Sequence, residues 1–550
     1  MRLLRPLRIP IAFVITLTLF GAVFGSDMDS RQTDPASGIQ VEGVQIDSVV
    51  IENRNIYDTG NDAYDKFIFK LANKLHIKTR AYTVRRELLL RKGDLFSRDL
   101  AEESSRNIRQ NLKVYDAWIE TEMLSNGNLL MKVITVDEWS LTGGINYTRE
   151  GNETRFKIGA EEENFLGHNQ YLSFYYYAQS DDDNFIETRF LEKRLLGRRY
   201  RLRLDYVNDP LNTTRRIALS RPFYDLGQKY SFAVDVRQLS GRRDIYDDGL
   251  RIGESFFDGD VVESDVLYRW GRYDRKITLE FSHVYRYEHS FDKRILMLDD
   301  IDTALALATF PDDSLYHKTG VGVSFADFSY VKLNNIDGFH YTEDYILGYF
   351  VGVGYARTFP SNFKGYHFDI AGASVGRYWS NGSNLARLDY GHTVWFKGSE
   401  MLRHFTTLRA KYYHRASDRI TFAFQSTYTS DWNREGRDNL VIGGTSGLRG
   451  YDKFFRTGNR RIVFNAEARI FTDLELLSAL FGAAAFVDWG NAWKSDESLT
   501  FSDFYAAGGV GLRIGFEKTT KNVVRIDLAY SESSGWELSI GTYQYFAAAR

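Results

Sequence analysis

The sequence predicts a mainly β chain: a transmembrane antiparallel β-barrel preceded by one small α+β domain. Three observations carry this. From Glu138 onward the 550-residue chain consists of strands and turns in which apolar side chains alternate with charged or small ones. The amino-terminal end carries a basic and then apolar leader. Between the two lies a stretch ordered strand, helix, helix, strand, strand.

Composition narrows the classes. A formal net charge of −3 gives no basic field for nucleic acid. Mean hydropathy is −0.37, and no long apolar run follows the leader. Strand alternation hides a barrel's hydrophobicity from such an average, although a water-soluble all-β protein shares the value. Cysteine is absent, so disulfides and thiolate metal sites are excluded.

The leader comes first. Arg2, Arg5 and Arg8 make a basic start, and Ile11 to Phe24 forms an apolar core. Val23-Phe24-Gly25 supplies a cleavage region, so residues 1–25 read as a secretory signal peptide, too short for a membrane span. An uncleaved anchor is the alternative. No Cys follows for a lipid anchor. Residues 26–42, with Pro35 and Gly38, read as a linker.

The α+β domain is expected over 43–138. VQIDSVVIENRNIYD reads as a strand. An insertion, Thr59 to Lys78, has helical spacing at Phe67, Leu71 and Leu75. Thr83 is expected to cap a helix carrying Val84, Leu88 and Leu89 and ending at Gly93. A second helix is expected after Ser97, with Leu100, Ser104, Ile108, Leu112 and Tyr115 on one side. Two strands, AWIETEML and NLLMKVITV, then meet at the tight-turn sequence Ser125 to Asn128.

The barrel is expected over 139–550. Tyr200, Leu202, Leu204 and Tyr206 alternate with Arg201, Arg203 and Asp205; Phe232, Val234 and Val236 alternate with Ala233, Asp235 and Arg237. Only seven prolines occur, as long ladders require. The pattern gives about 16 to 20 strands, an ordinary range for bacterial barrels. Trp536, Leu538, Ile540 and Phe546 are expected to build the last one, with Ala547 to Arg550 trailing.

The informative stretch is Gly443 to Asp488. A glycine-rich loop, GGTSGLRGYDKFF, precedes the strands RRIVFNAEARIF and FGAAAFVDWGNAW. Parity puts Val463, Asn465, Glu467 and Arg469 on one face, against Ile462, Phe464, Ala466, Ala468 and Ile470. It likewise puts Asp488 with Ala484 and Phe486. Downstream, Arg513 sits with Gly509, Gly511 and Gly515, and Asp527 with Arg525 and Ala529. Glu467 and Asp488 therefore both face the lumen on adjacent strands. Arg449 meets them only if its loop folds back inside.

GLRGY followed by NAEARIF and FVDWGNAW resembles the BamA/TamA superfamily of outer-membrane barrels, which insert or translocate proteins and carry periplasmic POTRA (polypeptide-transport-associated) domains. The resemblance implies a latch loop of Gly447, Leu448, Arg449, Gly450 and Tyr451, with Arg449 paired to Glu467 and Asp488. It implies sixteen strands, the surplus segments around Asp260 to Tyr287 then being pieces of extracellular loops. ELLLRKGDLFSRDLAEESSRNIRQNLKVYDAWIE resembles a single POTRA domain, from which the Thr59–Lys78 insertion departs. NFLGHNQ, Asn164 to Gln170, resembles the turn between the second and third barrel strands.

The expected function is outer-membrane protein assembly or polypeptide translocation in a Gram-negative bacterium. The expected partners are outer-membrane lipids, unfolded or exported client proteins and accessory envelope proteins, with no nucleic acid. Glycines at Gly143, Gly144 and Gly541, in the first and last strands, suggest a weak seam. No catalytic site, metal or cofactor is expected. GGTSGLRG lacks the G-x-S-x-G spacing, there is no H-E-x-x-H pair or phosphate loop, and no lipase domain fits between Ser26 and Val44. The alternatives are a passive channel or receptor, and a two-partner secretion pore.

Overall fold

The computed structural model describes residues 41–546 apart from 63, 151–152, 181, 248–249, 297–312, 361–367, 433–439, 453–454, 477, 495–496, 517, 519 and 542. The leader, most of the linker and residues 547–550 lie outside the described residues.

The first part is a small α+β module. Strands β1 (Ile46–Arg54), β2 (Val114–Met123) and β3 (Leu129–Asp137) form a sheet in the order β1-β3-β2. Strand β1 runs parallel to β3, and β2 antiparallel to it. Among the described residues three helices precede β2: α1 (Phe67–Leu75), α2 (Ala81–Arg85) and α3 (Arg98–Asn111). Alternate residues of β3 (Leu129, Met131, Val133) pack on Val84, Leu88 and Ile108 in one core.

Three local expectations are corrected. Thr83 does not cap a helix: α2 starts at Ala81 with Arg80 as its cap residue. The Thr83 hydroxyl donates instead to the carbonyl of Gly167, in a barrel turn, at 3.2 Å. The helix also ends at Arg85, because the Leu89 amide turns to the Ser104 hydroxyl at 2.9 Å rather than continuing the ladder. Tyr115 belongs to β2, not to α3.

The rest is a closed antiparallel barrel. Among the described residues its 21 hydrogen-bonded segments make 20 staves, because Ser314–Asp327 and Ser329–Leu333 are consecutive pieces of one stave that both pair with Glu343–Pro360. The sixteen staves implied by the resemblance are not what forms. The segments around Asp260 to Tyr287 are not loop pieces but two full staves, Leu250–Trp270 and Arg275–Ile295. Their outward side chains explain why: Val266, Tyr268 and Trp270 sit beside Ile277, Leu279 and Phe281 in an exposed apolar band.

That band runs around the barrel through Phe174, Ile217, Val234, Val323, Val353, Phe424, Val510 and Leu528, all exposed. So large an apolar belt is costly in water and favourable in hydrocarbon. The chain is thus a transmembrane β-barrel. Asn164 to Gln170 does link its second and third staves, Glu153–Phe165 and Gln170–Gln179.

The last stave, Gly535–Gly541, closes the sheet beside the first, Leu141–Glu150. Trp536, Leu538 and Ile540 face outward on it, as alternation requires. Phe546 does not extend it. The chain turns inward after Gly541, and Phe546 is buried among Leu333, Ile336, Tyr345, Leu385 and Tyr413. A buried aromatic pocket inside outcompetes one more residue of ladder.

The module packs on the barrel's turns. Arg109 of α3 makes two 2.7 Å bonds to Asp344. Glu87 receives two 2.6 Å bonds from Arg194. Glu103 accepts the Leu226 amide at 2.8 Å, and Arg106 lies 3.4 Å from the Tyr330 ring centre. The charged side of α3 is buried because it lies on the barrel mouth, not in the module core.

Candidate functional site

The site lies inside the barrel, against the staves Arg460–Leu476, Ala479–Trp493, Tyr505–Phe516 and Thr520–Ser531. Every second residue there faces inward. Asn465, Glu467 and Arg469 are buried, as are Asp488, Arg513, Arg525 and Asp527, while Ile470, Val487, Val510 and Leu528 on the opposite parity are exposed.

The loop before these staves folds back into the lumen. Gly447, at φ 124°, takes a backbone shape that favours glycine, and a Cβ there would sit 2.7 Å from Val463. Leu448 is completely buried with Ile442, Val463, Ala492 and Ala507. Tyr451 donates to the Ala506 carbonyl at 2.9 Å, and the Ser531 hydroxyl donates to the Gly450 carbonyl. The loop is thereby fixed on both sides of Arg449.

Arg449 is 2 % exposed. It grips Asp488 with Nε to Oδ2 at 2.8 Å and Nη2 to Oδ1 at 2.9 Å. Its Nη1 lies 3.8 Å from Glu467 and 3.5 Å from Asp527. The two acids named from the sequence are therefore unequal partners. Asp488 holds the fork; Glu467 supplies charge. Burial works against the Arg449 cation, and the bonds it donates to Asp488, with the nearby charges of Glu467 and Asp527, offset that cost.

The neighbours extend this into a network. Glu467 accepts from Arg513 and lies 3.5 Å from Arg469. Asp527 accepts from Arg513 and Arg525, each at 2.6 Å. Arg469 reaches Asp337 at 3.0 Å. Four arginines thus meet four carboxylates (Asp337, Glu467, Asp488 and Asp527), which balances charge in a buried place where a surplus is costly.

Two further segments complete the filling. Residues 334–342 enter from the module side, held where Glu343 accepts the amides of Asp337 and Gly338 at 3.2 and 2.8 Å. Phe339 from that segment lies in notches left by Gly482 and Gly515. The stretch after the last stave enters too. The Tyr545 hydroxyl donates to the Gly444 carbonyl at 2.6 Å and accepts the Gly447 amide at 3.0 Å. Arg449 is sandwiched between the rings of Phe486, 3.5 Å away, and Tyr545, 4.1 Å away. Arg469 donates to the Phe546 carbonyl at 2.5 Å.

Sequence reasoning placed Arg513, Arg525 and Asp527 on the inward face without joining them to Arg449; the same parity rule could have done so. Asp337, Tyr545 and Phe546 carried no such signal, because they lie outside the ladders. Of the glycines named for the seam, Gly143 has open space around its Cα, Gly144 lies beside Tyr175, and Gly541 lies beside Arg525.

No protein-family model matches the chain, and no curated protein matches it. Among solved structures it is similar to BamA from Haemophilus ducreyi lacking POTRA domains 1-3, at 11% identity and TM-score 0.34 over 91% of this chain and 83% of that one. It is similar to CdiB from Acinetobacter baumannii, at 11% identity and TM-score 0.40 over 96% of each chain. CdiB from Escherichia coli gives 11% identity and TM-score 0.42, over 96% of this chain and 95% of that one.

Proposed function

We propose that this chain is a Gram-negative outer-membrane barrel that inserts or translocates other polypeptides, with the Gly447–Tyr451 loop as its lumen latch and no enzymatic role. The observation that supports this is the charge-balanced cluster around Arg449. A passive pore needs an open lumen, whereas here three separate segments are clasped on one wall by side chains from four staves.

The module is a POTRA-type client-binding domain facing the periplasm. Its sheet order leaves β1 and β2 at the edges, and an extended client strand adds to such an edge through backbone bonds that ignore sequence. The seam between the first and last staves is the exit to the bilayer. The last stave has only 7 residues, against 10 in the first stave across the seam, and ends at Gly541. The fewer the ladder bonds, the lower the cost of opening.

The test is depletion of the protein in its host, followed by an inventory of the outer-membrane proteome, with photo-crosslinkers placed in β2. Loss of particular envelope proteins and their capture on β2 support the reading. A steady open conductance in single-channel recordings, with no client lost or captured, would overturn it in favour of a passive channel.

A further inference from the structure

The Thr59–Lys78 insertion forms α1, and the faces of that helix are divided in three. Phe69 points into the module, packing with Ile56 and Tyr57. Phe67, Ile68, Leu71 and Leu75 are all exposed, Phe67 at 79% and Leu75 at 64%. Lys66, Lys70 and Lys74 recur at four-residue steps and so line up along the edge of that exposed apolar arc. Only Phe69 is fully buried. A helix that buries one aromatic and exposes four large apolar side chains beside a row of lysines is unbalanced for water.

Its place in the fold supplies the missing environment. Tyr64, just before α1, donates to Glu475 at 3.1 Å, and the Tyr57 hydroxyl lies 3.0 Å from that of Ser478. Glu475 sits at the module-side end of the stave Arg460–Leu476, and Ser478 in the turn that follows it. There Leu474 and Leu476 are exposed at 66% and 64%, at the rim of the barrel's apolar band. The apolar arc of α1 is thus tied to the rim of a surface already in hydrocarbon.

We propose that α1 is an interfacial helix that lies in the module-side leaflet of the bilayer, with Phe67, Leu71 and Leu75 among the acyl chains and Lys66, Lys70 and Lys74 on anionic phospholipid headgroups. Short amphipathic helices with a basic flank bind membranes in this way, by apolar area plus attraction to anionic lipid. The proposal uses only the barrel's place in a membrane and not its function as an assembly factor. It assigns the insertion a role: fixing the height of the module against the bilayer.

The chain has no cysteine, so single-cysteine labelling is clean. The full chain, carrying an environment-sensitive fluorophore at Leu71→Cys, is placed in nanodiscs of phosphatidylcholine alone or mixed with phosphatidylglycerol. Shallow nitroxide-labelled lipid is the quencher, and Asp65→Cys, on the polar approach to α1, is the reference. The expected result is a blue-shifted probe at 71, quenched several-fold more than the one at 65. Quenching should be stronger with phosphatidylglycerol, and that increment should vanish in Lys66→Gln/Lys70→Gln/Lys74→Gln. Equal quenching at 71 and 65, or a probe at 71 that stays in water or under protein in every lipid, overturns the proposal. Heat-modified gel mobility checks that each variant keeps its barrel.

Discussion

Arg449 and Asp488 meet in a two-point contact, Nε to Oδ2 and Nη2 to Oδ1, and the Arg449 backbone amide adds a third bond to Oδ2 at 3.2 Å. One carboxylate thus reads both the side chain and the main chain of the loop residue. The pair is a position lock as well as a charge pair.

Arg449→Ala leaves Asp488, Glu467 and Asp527 with less positive charge than they need in a buried site. Breaking such a pair costs about 3–5 kcal/mol. Thermal unfolding in detergent, read by the loss of heat-modified gel mobility, should move to lower temperature. Arg449→Lys should recover little, since one ammonium cannot span both Asp488 oxygens.

The unequal geometry gives a sharper test. A double-mutant cycle of Arg449→Gln with Asp488→Asn should show a coupling of about 1.5–3 kcal/mol, the range for bonds to charged groups. The cycle with Glu467→Gln should couple more weakly, because Glu467 is bonded to Arg513. Equal couplings would mean that the pairs are interchangeable.

Gly482 and Gly515 leave room for Phe339, and a Cβ on Gly482 would come within 2.9 Å of that ring. Gly515 is closer still. Gly515→Ala should therefore destabilise the barrel by about 1–3 kcal/mol, as overpacking does. Adding Phe339→Ala should restore part of that loss. No recovery would place the strain elsewhere.

Tyr545→Phe keeps the ring over Arg449 but strips a carbonyl at Gly444 and an amide at Gly447 of their shared partner. The expected cost is about 1–3 kcal/mol. Faster proteolysis within 443–455 should accompany it, since the loop loses its contact with the segment after the last stave.

Lys193 supplies a pH test. It sits in a turn on the module side, donating to the Asn111 carbonyl at 3.2 Å and Asn169 Oδ1 at 3.0 Å. Burial pushes its pKa down to about 8; Arg201 and Lys113 lower it further, and Glu163 and Glu87 oppose them. The unfolded chain keeps its ordinary value of about 10.4. Between these values the unfolded state binds more protons, so this group makes stability rise with pH from about 8 upward. Below pH 8 both states are protonated and the contribution is flat. Lys193→Met should remove that slope from the stability profile.

Alternation made much of this legible. One rule, every second residue inward, placed Glu467, Asp488, Arg513 and Asp527 correctly, because a membrane barrel punishes the wrong parity on either face. Stave number was legible only as a range. Long staves such as Leu250–Trp270 run past the apolar band and look like loops to anyone expecting a fixed length. What enters the lumen was illegible for Phe339, Tyr545 and Phe546, since their burial depends on contacts with residues far away in sequence. The Thr83 cap failed for the same reason: a barrel turn competes for its hydroxyl.

The two buried pairs between module and barrel run in opposite senses. The module contributes the cation in Arg109–Asp344 and the anion in Glu87–Arg194. Such a connector is keyed like a polarised plug. Any half-turn of the module would set like against like at both pins, so only one seating is tolerated. Reversing one pin, Glu87→Arg, should unseat the module, and the compensating Arg194→Glu should seat it again.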